Sequence, residues 1–250
     1  MSNRTNTQVL LEKRPVGEPK DDDFRIETVP VVEPNEGQIL LKVLWLSLDP
    51  YMRGRMNDAK SYAPPVALGQ VMVGETVNQV VVSKSPDFAV GDIVIGEGGW
   101  QEYLTVDANP KQYRKVDSEL GPISTALHAL GMTGRTAYFG LLKVGEPKAG
   151  ETVVVAAASG AVGSVVGQIA KIQGCRAVGI AGGKEKCDYL INELGFDAAI
   201  DHKGGNMAEE LKAACPNGID VYFENVGGEV LEAVVPLLNS GARVPICGFV

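Results

Sequence analysis

Residues 158–163 of the 250-residue chain read Ala-Ser-Gly-Ala-Val-Gly and could bind a phosphate group. The run matches the dinucleotide-binding pattern G-x-G-x-x-G, with alanine in the first glycine position. Gly160 would let the backbone approach a pyrophosphate, and Gly163 would let the following helix, whose amino end attracts anions, pack closely on the preceding strand. A tight turn without a ligand is the alternative. A hydrolase elbow at Ser159 does not fit, because G-x-S-x-G needs glycines where alanines stand.

Residues 181–186 follow the next predicted strand and read Ala-Gly-Gly-Lys-Glu-Lys. An enzyme that uses NAD would carry an aspartate or glutamate at this point to bind the ribose 2′-hydroxyl. Here the small residues leave room, and Lys184 and Lys186 supply positive charge for a 2′-phosphate. The pattern therefore favours NADP over NAD. The alternative is a solvated helix start, where Glu185 is the residue that suits the helix dipole.

Residues 224–228, Glu-Asn-Val-Gly-Gly, follow the fourth strand predicted in the second half of the chain. A loop in this position of a parallel sheet can reach the ribose and nicotinamide half of a dinucleotide. Asn225 is the polar side chain that could make this contact. An ordinary turn is the alternative, because asparagine and glycine are common in turns.

Cysteine and histidine are too few and too scattered to predict a metal site or a disulfide framework. The residues concerned are Cys175, Cys187, Cys215, Cys247, His128 and His202. No two of the cysteines form a C-x-x-C pair, so the expected roles are small buried hydrophobic groups or idle thiols. A packed or solvated side chain is the expected role of His128.

The chain carries 23 Lys and Arg against 31 Asp and Glu, a formal net charge of −8. Such a field repels phosphate backbones and anionic lipids, so neither nucleic acid nor a membrane is an expected partner. The first residues are polar and no apolar run is long enough to span a bilayer, so neither a signal peptide nor a membrane anchor is expected. These features predict a cytoplasmic globular protein.

The elements that position these residues form two predicted domains, over residues 1–122 and 123–250. Short β-rich runs at 38–46, 71–82 and 92–95, separated by turns, predict a β domain first. Strands and helices then alternate, which predicts βαβ units and a parallel sheet. The predicted strands cover 152–156, 176–181, 198–201, 219–224 and 242–249, and the predicted helices cover 161–173, 184–193, 207–214 and 230–238. Because the chain stops at Val250 directly after a strand, this domain is expected to be incomplete at its carboxyl end.

Four stretches of the sequence resemble the medium-chain dehydrogenase/reductase superfamily, specifically its zinc-free branch of prostaglandin, alkenal double-bond and curcumin reductases. They are residues 48–56 (LDPYMRGRM), 130–141 (LGMTGRTAYFGL), 159–171 (SGAVGSVVGQIAK) and 222–228 (YFENVGG). The resemblance implies an α/β and β fold, a GroES-like β-barrel domain followed by a Rossmann domain with a doubly wound parallel sheet. Zinc alcohol dehydrogenases carry a metal-binding cysteine in the loop that matches 49–56. Here no cysteine precedes Cys175, which implies that the catalytic zinc is absent.

The resemblance also implies an activity. In the similar enzymes NADPH delivers a hydride to the β-carbon of an α,β-unsaturated ketone or aldehyde, so a small unsaturated carbonyl compound is the expected substrate. A homodimer is expected. Two alternatives stay open, a quinone oxidoreductase of the same superfamily and a non-catalytic NADPH-binding module.

Site residues carry over by motif from the similar enzymes. The expected cofactor-binding residues are Gly160, Ala161, Val162, Gly163, Lys186, His202 and Asn225. The first four would hold the pyrophosphate, Lys186 the 2′-phosphate and Asn225 the nicotinamide ribose side. His202 stands where the family has a tyrosine that touches the 2′-phosphate region.

On the substrate side, the resemblance implies that Tyr51 lines the cleft and is the catalytic residue, with an ordinary interface aromatic as the alternative. Arg53 would orient this loop or the cofactor. In the family, a second tyrosine that faces the substrate lies beyond the position of Val250.

Overall fold

The computed structural model of the protein describes residues 4–248. Phe249, which ends the last predicted strand, and Val250 lie outside the described residues. The chain divides into two compact units, the first ending at Leu127 and the second beginning at His128. The division falls beyond residue 122 because the 3-10 helix Ile123–Leu127 packs on strand residues of the first unit, Val77 and Ile95.

The first unit is built from antiparallel strands. Its elements are β1 (Thr5–Leu11), β2 (Phe24–Pro30), β3 (Gln38–Leu46), α1 (Tyr51–Arg55), β4 (Glu75–Ser83), β5 (Ile93–Glu97), β6 (Tyr103–Asp107) and β7 (Arg114–Lys115). Strands β1 and β2 form a hairpin, and the other five form a sheet in the order β6-β3-β4-β5-β7. Single bridges connect β1 to Gln101 and Val71.

Strand β3 has the bounds that its β-branched and apolar run predicts, whereas β4 begins four residues later than predicted. The prediction of a strand over 71–82 is wrong at its start, because the segment before Glu75 makes only an isolated bridge, from Val71 to Leu10. At Gly74 a β-carbon would lie 2.6 Å from Leu46 Cδ1, so a larger residue would require the Leu46 side chain to move.

The second unit is a parallel sheet covered by helices. Its elements are α2 (Met132–Phe139), β8 (Thr152–Val155), α3 (Gly163–Ile172), β9 (Arg176–Ala181), α4 (Lys184–Asn192), β10 (Ala198–Asp201), α5 (Met207–Ala214), β11 (Ile219–Phe223), α6 (Gly228–Val234) and β12 (Leu238–Arg243). The strand order is β10-β9-β8-β11-β12, and every pairing is parallel. Strands β9 and β10 and helix α5 have the predicted bounds.

Both faces of the parallel sheet are buried, which is why its strands read as continuous apolar runs. In β8, Val153 and Val155 pack into one core cluster and Val154 into another, since successive strand residues point to opposite faces. Helix α3 supplies Val166 to the first cluster, and α5 supplies Leu211 to the second. None of the helices within residues 4–248 is both long and apolar enough to cross a bilayer.

The end of the sheet differs from the prediction. Strand β12 spans Leu238–Arg243, whereas the sequence predicted a strand over 242–249. Pro245 has no N–H to continue a ladder, although its carbonyl accepts a 3.0 Å hydrogen bond from the Glu224 N–H. A single bridge then pairs Glu224 with Ile246. The regular strand therefore lies earlier in the chain than its apolar residues suggest.

Candidate active site

Strands β8 and β11 mark the point at which the order of the strands reverses, and their carboxyl ends lie side by side there. From β8 the chain builds outward through β9 to β10, and it then returns to β11 and β12 on the other side. In open parallel sheets a ligand crevice forms at such a point, outside the carboxyl ends of the strands. The loop after β8 contains the glycine motif and the loop after β11 contains Asn225. The two loops are in contact, because Asn225 Nδ2 donates a 2.8 Å hydrogen bond to the Ala156 carbonyl.

The glycine motif forms a tight turn before α3, which begins at Gly163 and not at residue 161 as predicted. The Gly160 N–H donates to the Ala157 carbonyl, at 2.9 Å. Ala157 has a φ of 47°, a left-handed conformation that alanine rarely adopts. Ala158, which replaces the first glycine of the motif, is buried and donates its N–H to Ile180 of β9. The strained residue therefore precedes the motif, and the glycine pattern gave no signal for it.

Gly163 is needed because a side chain at this position would not fit. A β-carbon there would lie 2.5 Å from the Ala157 oxygen and 2.7 Å from the Ala158 Cα, both of which are backbone atoms. At Gly160 a β-carbon would meet only the Ala157 oxygen, at 3.1 Å. This contrast agrees with the two expected roles, close helix–strand packing at Gly163 and an open approach for a ligand at Gly160.

The turn also exposes hydrogen-bond donors. Within residues 4–248, the backbone N–H groups of Ala161 and Val162 donate to no protein acceptor. They lie at the amino end of α3, a helix of ten residues, where the helix dipole adds a partial positive charge. A diphosphate fits this donor set, because its oxygens accept from backbone N–H groups. His128 Nε2 lies 3.0 Å from the Ala161 carbonyl oxygen.

Glu224 shapes the loop that carries Asn225. Its side chain is fully buried, and Oε1 accepts hydrogen bonds from the N–H groups of Val226, at 2.7 Å, and Gly227, at 2.9 Å. Oε2 accepts a 2.9 Å hydrogen bond from the hydroxyl of Tyr222. Burial, followed by the hydrogen bond to Glu224, raises the pKa of Tyr222. The sequence reading missed this carboxylate, since glutamate before an N-x-G-G turn gives no sign of burial.

The loops after β9 and β10 also meet. A β-carbon at Gly182 would lie 2.8 Å from His202 Nε2 and 3.1 Å from Lys203 Cε, so both side chains lie over this glycine. Asp201 joins the two loops, accepting hydrogen bonds from the N–H groups of Gly183, at 2.7 Å, and Lys203, at 2.9 Å. The Gly183 N–H, followed by that of Lys203, lowers the pKa of the Asp201 carboxyl. Lys203 is a basic residue here that the sequence reading did not single out.

The two lysines at the start of α4 are not equivalent. Lys184 forms an exposed ion pair with Asp188, at 2.5 Å and one helical turn away. Lys186 is exposed and forms no ion pair within residues 4–248. Of the two lysines, Lys186 is therefore the one whose charge is not offset by an ion pair within residues 4–248.

These groups lie along one edge of the sheet in a fixed order. The strand order places His202 after β10, Lys186 near the end of β9, the glycine turn after β8 and Asn225 after β11. Neighbouring strands are about 4.8 Å apart, so the groups span several strand widths. An elongated ligand that lay along these carboxyl ends could therefore meet the groups one after another.

In the first unit, Tyr51 begins the short helix α1 and is half-buried. Burial, followed by the charge of Asp49, raises the pKa of its phenol to about 12. The hydroxyl therefore stays protonated at neutral pH and can donate a hydrogen bond. Arg53 ties residues 15–17 to α1, because its guanidinium donates hydrogen bonds to the carbonyls of Pro15 and Gly17.

Buried polar atoms without hydrogen-bond partners lie in and near this helix. Three buried side-chain atoms within residues 4–248 form no hydrogen bond, namely Asp49 Oδ2, Arg55 Nε and Trp100 Nε1. No group of three or more histidine, cysteine, aspartate or glutamate side chains is arranged to hold a metal ion in the same part of the chain.

Comparison with known proteins identifies the family. A family model described as the N-terminal domain of oxidoreductase matches residues 7–116, and one described as zinc-binding dehydrogenase matches residues 161–250. The chain is 54% identical over 245 residues to the NADPH-dependent curcumin reductase of Escherichia coli, covering 98% of this chain and 70% of that protein. The chain belongs to the medium-chain dehydrogenase/reductase superfamily. The predicted family and fold class are thus confirmed.

Further relatives place this dehydrogenase/reductase in the branch of curcumin, prostaglandin and alkenal reductases. It is 46% identical over 242 residues to prostaglandin reductase 1 of Oryctolagus cuniculus, covering 95% of this chain and 66% of the relative. Identity to the NADP(+)-dependent 2-alkenal reductase of Nicotiana tabacum is 42% over 251 residues, covering 98% and 73%. The crystal structure of CurA in complex with NADPH from Vibrio vulnificus superposes with a TM-score of 0.92 at 52% identity, covering 97% of this chain and 72% of that one.

Proposed function

We propose that the protein is an NADPH-dependent oxidoreductase that reduces the C=C bond of α,β-unsaturated ketones and aldehydes. The observation that carries the proposal is the order of groups along the sheet edge, from the free Lys186 through the glycine turn to Asn225. Relatives named as curcumin, prostaglandin and alkenal reductases support the substrate class.

The chain's own residues would bind the cofactor in three places. The N–H groups of Ala161 and Val162 would hold the diphosphate, which Gly160 and Gly163 allow to approach. Lys186 and His202 would bind the 2′-phosphate. Asn225, whose amide nitrogen is fixed by the Ala156 carbonyl, would present its Oδ1 to the nicotinamide ribose. When bound, NADPH supplies the hydride that is added to the β-carbon of the substrate.

Tyr51 is the proposed catalytic residue, and it acts as a hydrogen-bond donor. Negative charge develops on the carbonyl oxygen of an enone as its β-carbon is reduced, and a positioned donor stabilises that charge. The α-carbon then takes a proton, which water can supply. The phenol is protonated throughout the neutral range, since even an unshifted tyrosine has a pKa near 10, and burial raises the pKa of Tyr51 further.

The function is tested by oxidation of NADPH with a small enone in the presence of a metal chelator. We expect turnover to continue, because no cysteine precedes Cys175 and the chain has two histidines. Turnover that is lost to the chelator and restored by zinc would refute metal independence. Binding of NADPH without enone turnover would favour a binding module, and turnover of quinones alone would favour a quinone oxidoreductase.

Lys186→Ala should weaken the binding of NADPH and leave the binding of NADH unchanged. The variant removes a charged contact to the 2′-phosphate of about 1.5 kcal/mol, roughly tenfold in affinity. Fluorescence titration of both cofactors measures the effect. Lys184→Ala is the matched control and should change neither affinity by more than about twofold, since the Lys184 ammonium is already paired with Asp188. Equal affinities for NADPH and NADH in the parent protein would refute the choice of NADP.

Tyr51→Phe should lower kcat/KM for a small enone while NADPH binding is kept. Loss of one hydrogen bond to the developing charge, worth roughly 1.5 kcal/mol, corresponds to about a tenfold decrease. Steady-state kinetics at fixed NADPH measures it. Tyr62→Phe is the control, because Tyr62 is a tyrosine of the same unit that is 84% exposed. An unchanged kcat/KM for Tyr51→Phe would remove this phenol from the mechanism.

A further inference from the structure

We propose that His128 is a positioning residue for the diphosphate-binding turn, and that it aims the Val162 N–H by holding the Ala161 carbonyl. This inference rests on the proposed function, because it assigns a cofactor diphosphate to that turn. From the sequence alone, a packed or solvated side chain is the expected role of His128. The structure leaves His128 exposed and also places its ring nitrogen Nε2 3.0 Å from the Ala161 oxygen.

The chemistry of this contact fixes its direction. A carbonyl oxygen can only accept a hydrogen bond, so Nε2 must carry the proton and donate it. Neutral imidazole with its proton on Nε2 and imidazolium both satisfy this requirement. The contact therefore does not need a charged histidine.

The backbone of His128 is itself held firmly. Its carbonyl accepts hydrogen bonds from the N–H groups of Gly131 and Gly134 and from the hydroxyl of Thr133, at 3.0, 2.9 and 3.1 Å. Gly134 packs closely on this segment, since a β-carbon there would lie 2.0 Å from the Ala129 oxygen. The imidazole is thus presented to the glycine turn from the segment before α2, a fixed point in the same unit.

Peptide geometry transmits the contact to the binding side. In a planar trans peptide the C=O and the next N–H point in opposite directions. Because the Ala161 carbonyl points toward His128, the Val162 N–H points away from it, and this N–H has no protein acceptor within residues 4–248. His128 thereby keeps one donor of the proposed diphosphate site oriented before any ligand arrives, which lowers the ordering cost of binding.

The cofactor titrations distinguish the proposed role of His128 from that of Lys186. The diphosphate is common to NADPH and NADH, so His128→Ala should weaken the binding of both cofactors by the same factor, about fivefold for one exposed hydrogen bond. His128→Gln, whose amide can donate to the same carbonyl, should restore most of both affinities. A merely unfolded fraction would reduce the number of binding sites and leave the dissociation constants unchanged.

The test combines those dissociation constants with amide hydrogen exchange of peptides covering residues 157–163 in the cofactor-free protein. We expect faster exchange in His128→Ala than in the parent and in His128→Gln. Unchanged exchange and unchanged affinities would overturn the inference while leaving the proposed function intact, as would a loss confined to NADPH. If the parent bound neither cofactor, the proposed function would fail, and the cofactor part of this inference would fail with it.

Discussion

Gly163→Ala is expected to destabilise the protein, whereas Gly160→Ala is expected to weaken cofactor binding with little change in stability. At Gly163 a β-carbon would overlap backbone atoms of Ala157 and Ala158, which cannot rotate away as a side chain can. Either the turn or the start of α3 must move. Overpacking of this kind costs about 1–3 kcal/mol in the free energy of unfolding.

At Gly160 the single close contact of 3.1 Å can be relieved by a small shift, so we expect a stability loss within about 0.5 kcal/mol. The new methyl group would instead lie where the diphosphate approaches the backbone. We expect at least a tenfold loss of affinity for NADPH and NADH alike, about 1.4 kcal/mol.

Denaturant unfolding and cofactor titration of the two variants separate these outcomes. Gly54→Ala is a control for the glycine-to-alanine change, because its β-carbon would meet no atom within 4 Å. If Gly163→Ala unfolded with the parent's midpoint, the close packing would not be the reason for this glycine. If Gly160→Ala bound both cofactors like the parent, the diphosphate would not approach this face of the turn.

Sequence patterns predicted the parallel sheet closely wherever composition and burial agree. Strand β9 lies between two other strands, both its faces are covered, and its apolar run has the predicted bounds. The last strand was misplaced because Val244, Ile246 and Cys247 look like strand residues, although Pro245 interrupts the ladder. Local composition cannot reveal which backbone groups find partners across the sheet.

The residues of the candidate site were likewise predictable only in part. Motif spacing located Gly160 and Asn225, and topology brings their loops together at the change of direction in the sheet. The left-handed Ala157 and the contact of His128 were not predictable, because each depends on a tertiary neighbour and not on adjacent residues. Residue type alone also could not separate Lys184 from Lys186. Their difference is an ion pair one turn further along the helix.

Glu224→Ala should cause the largest loss of stability among the variants considered, because it leaves two buried donors and one partly buried donor without an acceptor. Those donors are the N–H groups of Val226 and Gly227 and the hydroxyl of Tyr222. Each buried donor left unpaired costs about 1–3 kcal/mol, and their common site suggests a total of roughly 3–5 kcal/mol. Asn225 lies within this turn, so cofactor affinity should fall in the molecules that remain folded.

Glu224→Gln is the matched variant that decides between a need for charge and a need for hydrogen-bond partners. Its amide oxygen can accept from the Val226 and Gly227 N–H groups, while its NH2 group can donate to the Tyr222 oxygen, which accepts as well as donates. We therefore expect Glu224→Gln to keep most of the stability and affinity that Glu224→Ala loses. Glu229→Ala, an exposed glutamate on α6, should change the free energy of unfolding by no more than about 0.5 kcal/mol. Denaturant unfolding with cofactor titration measures all three, and a Glu224→Gln protein as unstable as Glu224→Ala would mean that the negative charge itself holds this loop.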